Sequence, residues 1–186
     1  MAKEIIFWGI VAGAVIYDSL LIFSIVKPNL RFWPPPPSPS WRYEVTRFTG
    51  VLGPLSIVGM LALGVLDWDS FVWRHGSRCV AGSLLFFAGG AFALWGYFGL
   101  GVTASQGSGG PLLVSGAYRY SRNPQYVGAV AGLLGYGLIC NSALTLTAVV
   151  LWSSWYLLAP FAEEPWLYER LGAAYADYAA SVRRYL

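Results

Sequence analysis

Five stretches of the chain, at about 5–26, 48–66, 79–98, 124–140 and 143–160, are apolar almost without interruption. Each is close to the roughly 20 residues a helix needs to cross the hydrocarbon core of a bilayer. Asp18 is the single ionisable residue well inside any of them. No stretch alternates apolar and polar positions as a half-buried strand would. In lipid the backbone must satisfy its own hydrogen bonds, so these stretches are expected to be transmembrane helices.

The last two stretches form a unit. From Gln125 to Ala162 no residue is charged and none is histidine. That run is too long for one crossing and fits two, joined at the turn-forming pair Asn141-Ser142. A hairpin returns the chain to the face it left. It therefore brings Arg122, just before the run, to the same bilayer edge as Glu163-Glu164, just after it. Asn123-Pro124 reads as N-cap and first helical residue. Pro165 suits a first helical turn and disfavours helical geometry at Glu164, so a break is expected at Glu163-Glu164. Beyond it, Leu167, Leu171, Tyr175, Tyr178 and Val182 recur at helical spacing, which predicts an amphipathic helix over Pro165–Val182 that lies on the membrane or caps the bundle. The expected fold is an all-α integral membrane bundle of five transmembrane helices with a C-terminal amphipathic helix. It forms one domain over 1–186, with helices and loops in 1–111 and the hairpin and tail in 112–186.

Composition agrees: 56% of the 186 residues are hydrophobic and 11% charged, against about 25% charged in soluble domains. A net charge of +3, dispersed along the chain, argues against nucleic acid as a partner. Nine Trp and twelve Tyr suit anchoring at two membrane interfaces. The first apolar run reaches Val26 without a small-residue cleavage site, so a retained helix is expected rather than a signal peptide. With the N-terminus outside, Lys27, Arg31, Arg42, Arg47, Arg119, Arg122, Arg170, Arg183 and Arg184 lie inside, against Lys3, Arg74 and Arg78 outside. The positive-inside rule favours that arrangement, which puts both ends of the hairpin and the C-terminus in the cytoplasm. Pro34-Pro35-Pro36-Pro37-Ser38-Pro39 favours a stiff polyproline II segment, read as a surface spacer. Gly99-Leu100-Gly101 and Gln106-Gly107-Ser108-Gly109-Gly110-Pro111 read as a mobile loop. Cys79 and Cys140 are expected to be inert buried thiols; with His75 as the one histidine, solvated in the outer loop, no metal site is expected.

The chemistry gathers at the ends of the hairpin. A helix start presents unpaired N–H groups and partial positive charge, suited to a carboxylate or phosphate, and Arg122 adds a bidentate donor there. Tyr118 and Tyr126 flank it. Adjacent residues on a helix point about 100° apart. One of Glu163 and Glu164 can thus pair with Arg122 while the other faces a ligand, and the nearby Trp166, Tyr168 and Tyr126 suit a cationic one. The alternative at this point is a structural salt bridge. Asp18 is either functional, as intramembrane acids tend to be, or held by a local hydrogen bond.

The run Gly116-Ala117-Tyr118-Arg119-Tyr120-Ser121-Arg122-Asn123-Pro124-Gln125-Tyr126-Val127-Gly128 precedes the hairpin, and Glu163-Glu164-Pro165-Trp166-Leu167, Leu171-Gly172, Tyr175, Tyr178 and Val182 follow it. Over about residues 112–185 this resembles the isoprenylcysteine carboxyl methyltransferase and phospholipid N-methyltransferase superfamily. The resemblance implies an integral membrane enzyme that uses S-adenosylmethionine, held by Tyr118, Arg122, Asn123, Pro124, Tyr126, Glu163 and Glu164. Gly99 and Gly101 resemble, more weakly, a Gly-x-Gly element of the phosphatidylethanolamine enzymes. Two positions depart from the pattern. Many members have histidine where this chain has Asn123, and the usual Val-Pro-Arg ending is here Val182-Arg183-Arg184, with Arg184 at the arginine position. The implied acceptor is a lipid or isoprenoid-type small molecule in the membrane. A carboxylate acceptor needs a cationic clamp, Arg184 or Arg119; an amine needs a general base, Glu164. With Arg122 orienting the cofactor, Glu164 and Arg184 complete the candidate catalytic set. Two other classes compete: a nicotinamide-dependent membrane sterol or enone reductase, and a non-catalytic scaffold docking through its proline run.

Overall fold

The computed structural model describes residues 1–186 apart from Arg74, Gln106 and Ser108 and the side chain of Thr103, so the expectations for Arg74 and for part of the glycine-rich loop fall outside it. The described residues form helices and no strands: α1 Ala2–Val26, α2 Trp41–Thr49, α3 Leu52–Leu66, α4 Ser77–Leu100, α5 Val102–Ser105, α6 Pro124–Cys140, α7 Ala143–Leu171 and α8 Ala173–Ser181. Among them α1, the joined α2 and α3, α4 and α7 are long and apolar enough to cross a membrane, and α6 is a shorter apolar helix. They make the expected five-helix bundle. One core joins α1, α3 and α7 through Ile10, Ala14, Met60, Leu63, Val149 and Trp152.

The second span starts earlier than hydropathy alone places it. Ser40 caps α2 by accepting from the Tyr43 N–H at 3.2 Å, and α2 runs through Gly50-Val51 into α3. The segment before it is no surface spacer. Pro34 and Pro36 are buried, and the Ser24 hydroxyl accepts from the N–H groups of Phe32 (2.9 Å) and Trp33 (3.1 Å). Burying the two aromatic rings that precede the prolines draws the connector into the bundle.

The expected break at Glu163-Glu164 does not occur. α7 continues to Leu171 with Pro160 and Pro165 inside it. A proline in a helix interior costs about 3 kcal/mol; Glu164, the residue before Pro165, is nonetheless held in α7 by the ion pairs described below. The chain turns instead at Gly172, whose φ of 55° and ψ of −133° suit glycine. The tail helix expected over 165–182 is therefore the end of α7 plus α8, and its apolar face survives the split. Leu167, Leu171 and Val182 pack around the buried Tyr118, Tyr175 and Tyr178.

α4 and α6 approach backbone to backbone. Gly82, Gly89 and Gly96 on α4 face α6, where Gly128 and Gly135 keep the same spacing of seven. A Cβ on Gly82 would lie 2.8 Å from the Gly135 carbonyl oxygen, and one on Gly89 2.6 Å from the Gly132 nitrogen. Small residues allow such an approach where lipid supplies no hydrophobic drive between helices.

The bundle end that carries the N-terminus is tied by buried polar groups. Asn141, at φ 51°, makes the hairpin turn as expected, and Ser142 caps α7 by accepting from the Thr145 N–H at 3.0 Å. Asp67 accepts from Lys3 Nζ (2.8 Å), Ser70 Oγ (2.6 Å), Ser142 Oγ (3.1 Å) and the Leu144 N–H (3.2 Å). Burial pushes its carboxyl pKa up, but Lys3, Ser70, Leu144 and Ser142 together outweigh that and hold it at about 2. A depressed carboxyl stabilises the fold above its unfolded pKa, near 4, and that contribution is lost as the pH falls toward 2. Asp67→Asn is expected to cost about 2 kcal/mol at pH 7 and to flatten the decline in melting temperature between pH 4 and 2, measured in detergent.

Two smaller expectations change. Cys140 is buried but Cys79 is exposed; Arg78 takes the inward position beside it, with Nη1 donating to the Ile139 carbonyl at 2.8 Å. Asp18 is held not locally but from α7, accepting from Ser154 Oγ at 2.6 Å.

Candidate functional site

At the other end of the bundle the hairpin does what its length predicts: Arg122, just before α6, and Glu164, late in α7, meet with Nη2 3.0 Å from Oε1. A third group joins them from the tail. Arg184 Nε donates to Glu164 Oε1 at 2.8 Å and Nη2 to Oε2 at 2.7 Å, a two-point fork, while its guanidinium lies 4.1 Å from the centre of the Phe161 ring. The hydrogen bond with Glu164 raises the Arg184 guanidinium above its already high ordinary pKa. Both Glu164 oxygens are thus engaged by arginines, and Glu164 is buried.

The tail is threaded against the start of α6. The Arg122 N–H donates to the Arg183 carbonyl at 2.9 Å, and Arg122 Nη1 to the Ala179 carbonyl at 3.2 Å. Asn123 Nδ2 donates to the Arg184 carbonyl at 2.9 Å. Asn123 sits at the N-cap position without a side-chain cap; its side chain fastens the tail instead. Arg122 Nε is buried without a hydrogen-bond partner among the described residues.

Glu163 has different company. Its Oε1 accepts from Trp33 Nε1 at 2.6 Å and from the Tyr126 hydroxyl, and Oε2 accepts no hydrogen bond among the described residues. It lines a cavity of about 130 Å³ with Trp33 and Pro34 before α2, Leu100 and Ala104 around α5, Arg122, Asn123, Gln125 and Tyr126 at the start of α6, and Trp166, Tyr175 and Tyr178 on the far side. Among the described residues, Glu163 and Glu164 are the acidic residues of its wall and Arg122 is the basic one. Gln125 Nε2 bridges Ser105 Oγ and the Tyr118 hydroxyl, each at 2.9 Å. Burial pushes the Tyr118 phenol up to about 12, opposed by the Gln125 hydrogen bond and reinforced by the charge of Glu163. Burial likewise pushes Tyr178 up to about 12, with Tyr118 adding and Arg122 opposing. Both phenols are neutral hydrogen-bonding groups at neutral pH.

Tyr118, Arg122, Asn123, Tyr126, Glu163 and Glu164 therefore share one cavity wall, Pro124 lies buried at the start of α6, and Arg184 reaches the group through Glu164. Gly99 and Gly101 stand just outside. A Cβ on Gly99 would meet Leu113 Cδ2 at 3.5 Å, and Gly101, at φ 84°, ends α4. Arg119 is exposed and lines a separate groove with Asp177. Tyr168 meets Tyr175 edge to face with ring centres 4.9 Å apart, outside the cavity wall. Trp33 and Gln125 were not singled out by the sequence. Gln125 lies inside the recognised motif; the only signal for Trp33 is an aromatic residue immediately before the proline run.

A family model described as phospholipid methyltransferase matches residues 77–174, more than half of the chain. Neither the curated proteins nor the solved structures contain a match. The matched span covers α4 to the turn after α7, including Arg122, Glu163 and Glu164. Trp33, Pro34 and Arg184 lie outside it.

Proposed function

The chain belongs to the phospholipid methyltransferase family, and from that premise we propose that it transfers a methyl group from S-adenosylmethionine to the amine headgroup of a membrane lipid. The observation that carries the choice of an amine is the state of the charges in the cavity. Arg122 and Arg184 both spend donors on Glu164, and the Arg122 Nε that remains is one donor only, so neither is a free two-point clamp for a carboxylate acceptor. Glu163 keeps a carboxylate oxygen without a partner among the described residues and stands beside Trp33 and Tyr126, a setting for a cation.

The donor set fits the cofactor. Arg122 Nε, buried and without a partner among the described residues, suits its carboxylate. Glu163 and the aromatic wall of Trp33, Tyr126 and Trp166 suit its positively charged groups. When bound, S-adenosylmethionine supplies a methyl group on positive sulfur, which passes to the acceptor nitrogen as the sulfur keeps the bonding pair.

The chain's own residues position the partners and handle a proton. A primary amine headgroup is mostly protonated at neutral pH and needs a base before it can attack. Glu163 Oε2 takes that role, with the carboxylate held by Trp33 and Tyr126 through Oε1. Glu164 keeps Arg122 and Arg184 in place. The distribution of lysine and arginine favours the cytoplasmic side for this end of the bundle, where a polar cofactor would enter from water and a lipid between helices.

The test uses purified protein in nanodiscs, methyl-labelled S-adenosylmethionine, and either phosphatidylethanolamine or a prenylated cysteine. Base-stable label in the lipid fraction is expected. Base-labile methyl ester on the prenylated cysteine would assign the carboxylate chemistry instead, and binding of NADPH without S-adenosylmethionine would sink both. Glu163→Gln is expected to lower kcat at least about 100-fold with the melting temperature little changed; full turnover in that variant would remove Glu163 as the base.

A further inference from the structure

The connector between α1 and α2 lies outside the span matched by the family model, yet Trp33 and Pro34 form part of the cavity wall. The same region is rich in positive charge: Lys27 and Arg31 on the connector, Arg42 and Arg47 on α2. Its one acid, Glu44, is engaged by Arg47 at 3.1 Å. Arg31 and Arg42 stand in no ion pair among the described residues. Each is instead fixed by a single N–H to a backbone carbonyl of the connector: Arg31 Nε to Pro34 at 3.2 Å, and Arg42 Nη1 to Asn29 at 3.2 Å. The other guanidinium donors have no partner among the described residues. Both side chains are half-buried. Burial pushes the Arg31 guanidinium below its ordinary pKa, with Glu169 opposing and the nearby charge of Arg42 adding.

Arg31 and Arg42 are each held by a neutral carbonyl, and Glu169, whose charge reaches Arg31, makes no ion pair with it among the described residues, so both guanidinium groups keep donors for an anion. Their depth says which kind. α1 ends at Val26 and the next span starts at Trp41, at the same bundle end as Glu163, so the pair sits at the bilayer edge where lipid phosphates lie. A planar guanidinium matches a phosphate by two parallel hydrogen bonds. A short path leads from there to the cavity. Arg31 is tied to Pro34, Pro34 lines the cavity, and the neighbouring Trp33 donates to Glu163.

We propose that Arg31 and Arg42 bind the phosphodiester of the lipid acceptor and so set its amine against Glu163. The assignment rests on the acceptor being an amine-bearing phospholipid, as proposed above. It makes the connector the element that distinguishes a phospholipid from other membrane amines. The matched family span would then supply the methyl-transfer site, and the first helices the acceptor recognition.

Two acceptors separate this role from general attraction to a charged membrane: phosphatidylethanolamine, and sphingosine, a long-chain primary amine without phosphate. Both are presented in the same neutral detergent. In Arg31→Gln and in Arg42→Gln the KM for phosphatidylethanolamine is expected to rise about tenfold, with kcat held within about twofold. The KM for sphingosine is expected to match that of the unmodified protein. Equal rises for both acceptors, or no rise for either, would overturn the proposal. A binding arm needs no turnover: short-chain phosphatidylethanolamine is titrated against the intrinsic tryptophan fluorescence, with melting temperatures confirming that each variant is folded. Weaker lipid binding in both variants sustains the arginine assignment even if the unmodified protein methylates neither amine, an outcome that would remove the amine-transfer function alone. Saturable binding of inorganic phosphate, lost in the variants while lipid binding is kept, would assign the pair to a free anion and overturn the proposal.

Discussion

Gly89→Ala is expected to lower the melting temperature of the detergent-solubilised protein by about 10 °C, while Gly90→Ala, one position along the same helix, leaves it unchanged or slightly raised. A Cβ on Gly89 would lie 2.6 Å from the Gly132 nitrogen and 2.8 Å from both Ala131 Cβ and the Gly128 carbonyl oxygen. Two of those atoms belong to backbone, so no rotamer change relieves the contact and α4 and α6 must part. A Cβ on Gly90 meets nothing within 4 Å. There the substitution removes a poor helix former at no steric cost. The same displacement should reach the site, because Gly96 faces Pro124 and Gln125 at the start of α6. Reduced binding of S-adenosylmethionine in Gly89→Ala, measured by equilibrium dialysis, is the expected companion. A Gly89→Ala protein that melts like the unmodified one would mean that α4 and α6 do not approach through these glycines.

That seam also shows what the sequence exposed and what it hid. The spans were legible because burial in lipid leaves a compositional mark, and the hairpin because its turn residues fall where its length requires. The glycines were in plain view, but hydropathy counts them as nearly neutral, and their spacing of seven on both helices acquires meaning only once the helices are opposed. The end of α7 misled for a different reason. Pro165 is a sound local argument for a break, and it was overridden by a tertiary one, the anchoring of Glu164 between two arginines; the turn came at Gly172, where a positive φ is easy. At the site, the 100° offset between Glu163 and Glu164 predicted that one would pair with Arg122. It could not say which, because Arg184 arrives from the tail and Trp33 from a connector far away in sequence. Contacts of that range leave no local periodicity to read.

Glu164→Gln is the second substitution expected to have a large effect, and Arg184→Gln shows why. One carboxylate faces two guanidinium groups, so the cluster of Arg122, Glu164 and Arg184 carries an excess positive charge. The Glu164 side chain is 10% exposed, that of Arg122 11% and that of Arg184 31%. Removing the carboxylate charge leaves two unneutralised guanidinium groups, one of them deep, and breaking a buried pair in this way costs about 3–5 kcal/mol. A fall in melting temperature of about 10 °C or more follows, together with loss of S-adenosylmethionine binding as Arg122 and the start of α6 lose their fixed relation. Arg184→Gln removes the more exposed partner instead. It leaves Arg122 and Glu164 as a neutral pair across the hairpin, and the tail keeps its backbone bonds from Arg122 and Asn123. Its expected cost is about 1 kcal/mol. Thermal melts of the two variants beside the unmodified protein decide the matter. Equal losses would mean that the tail contact, and not the pairing of Arg122 with Glu164 across the hairpin, holds the site together.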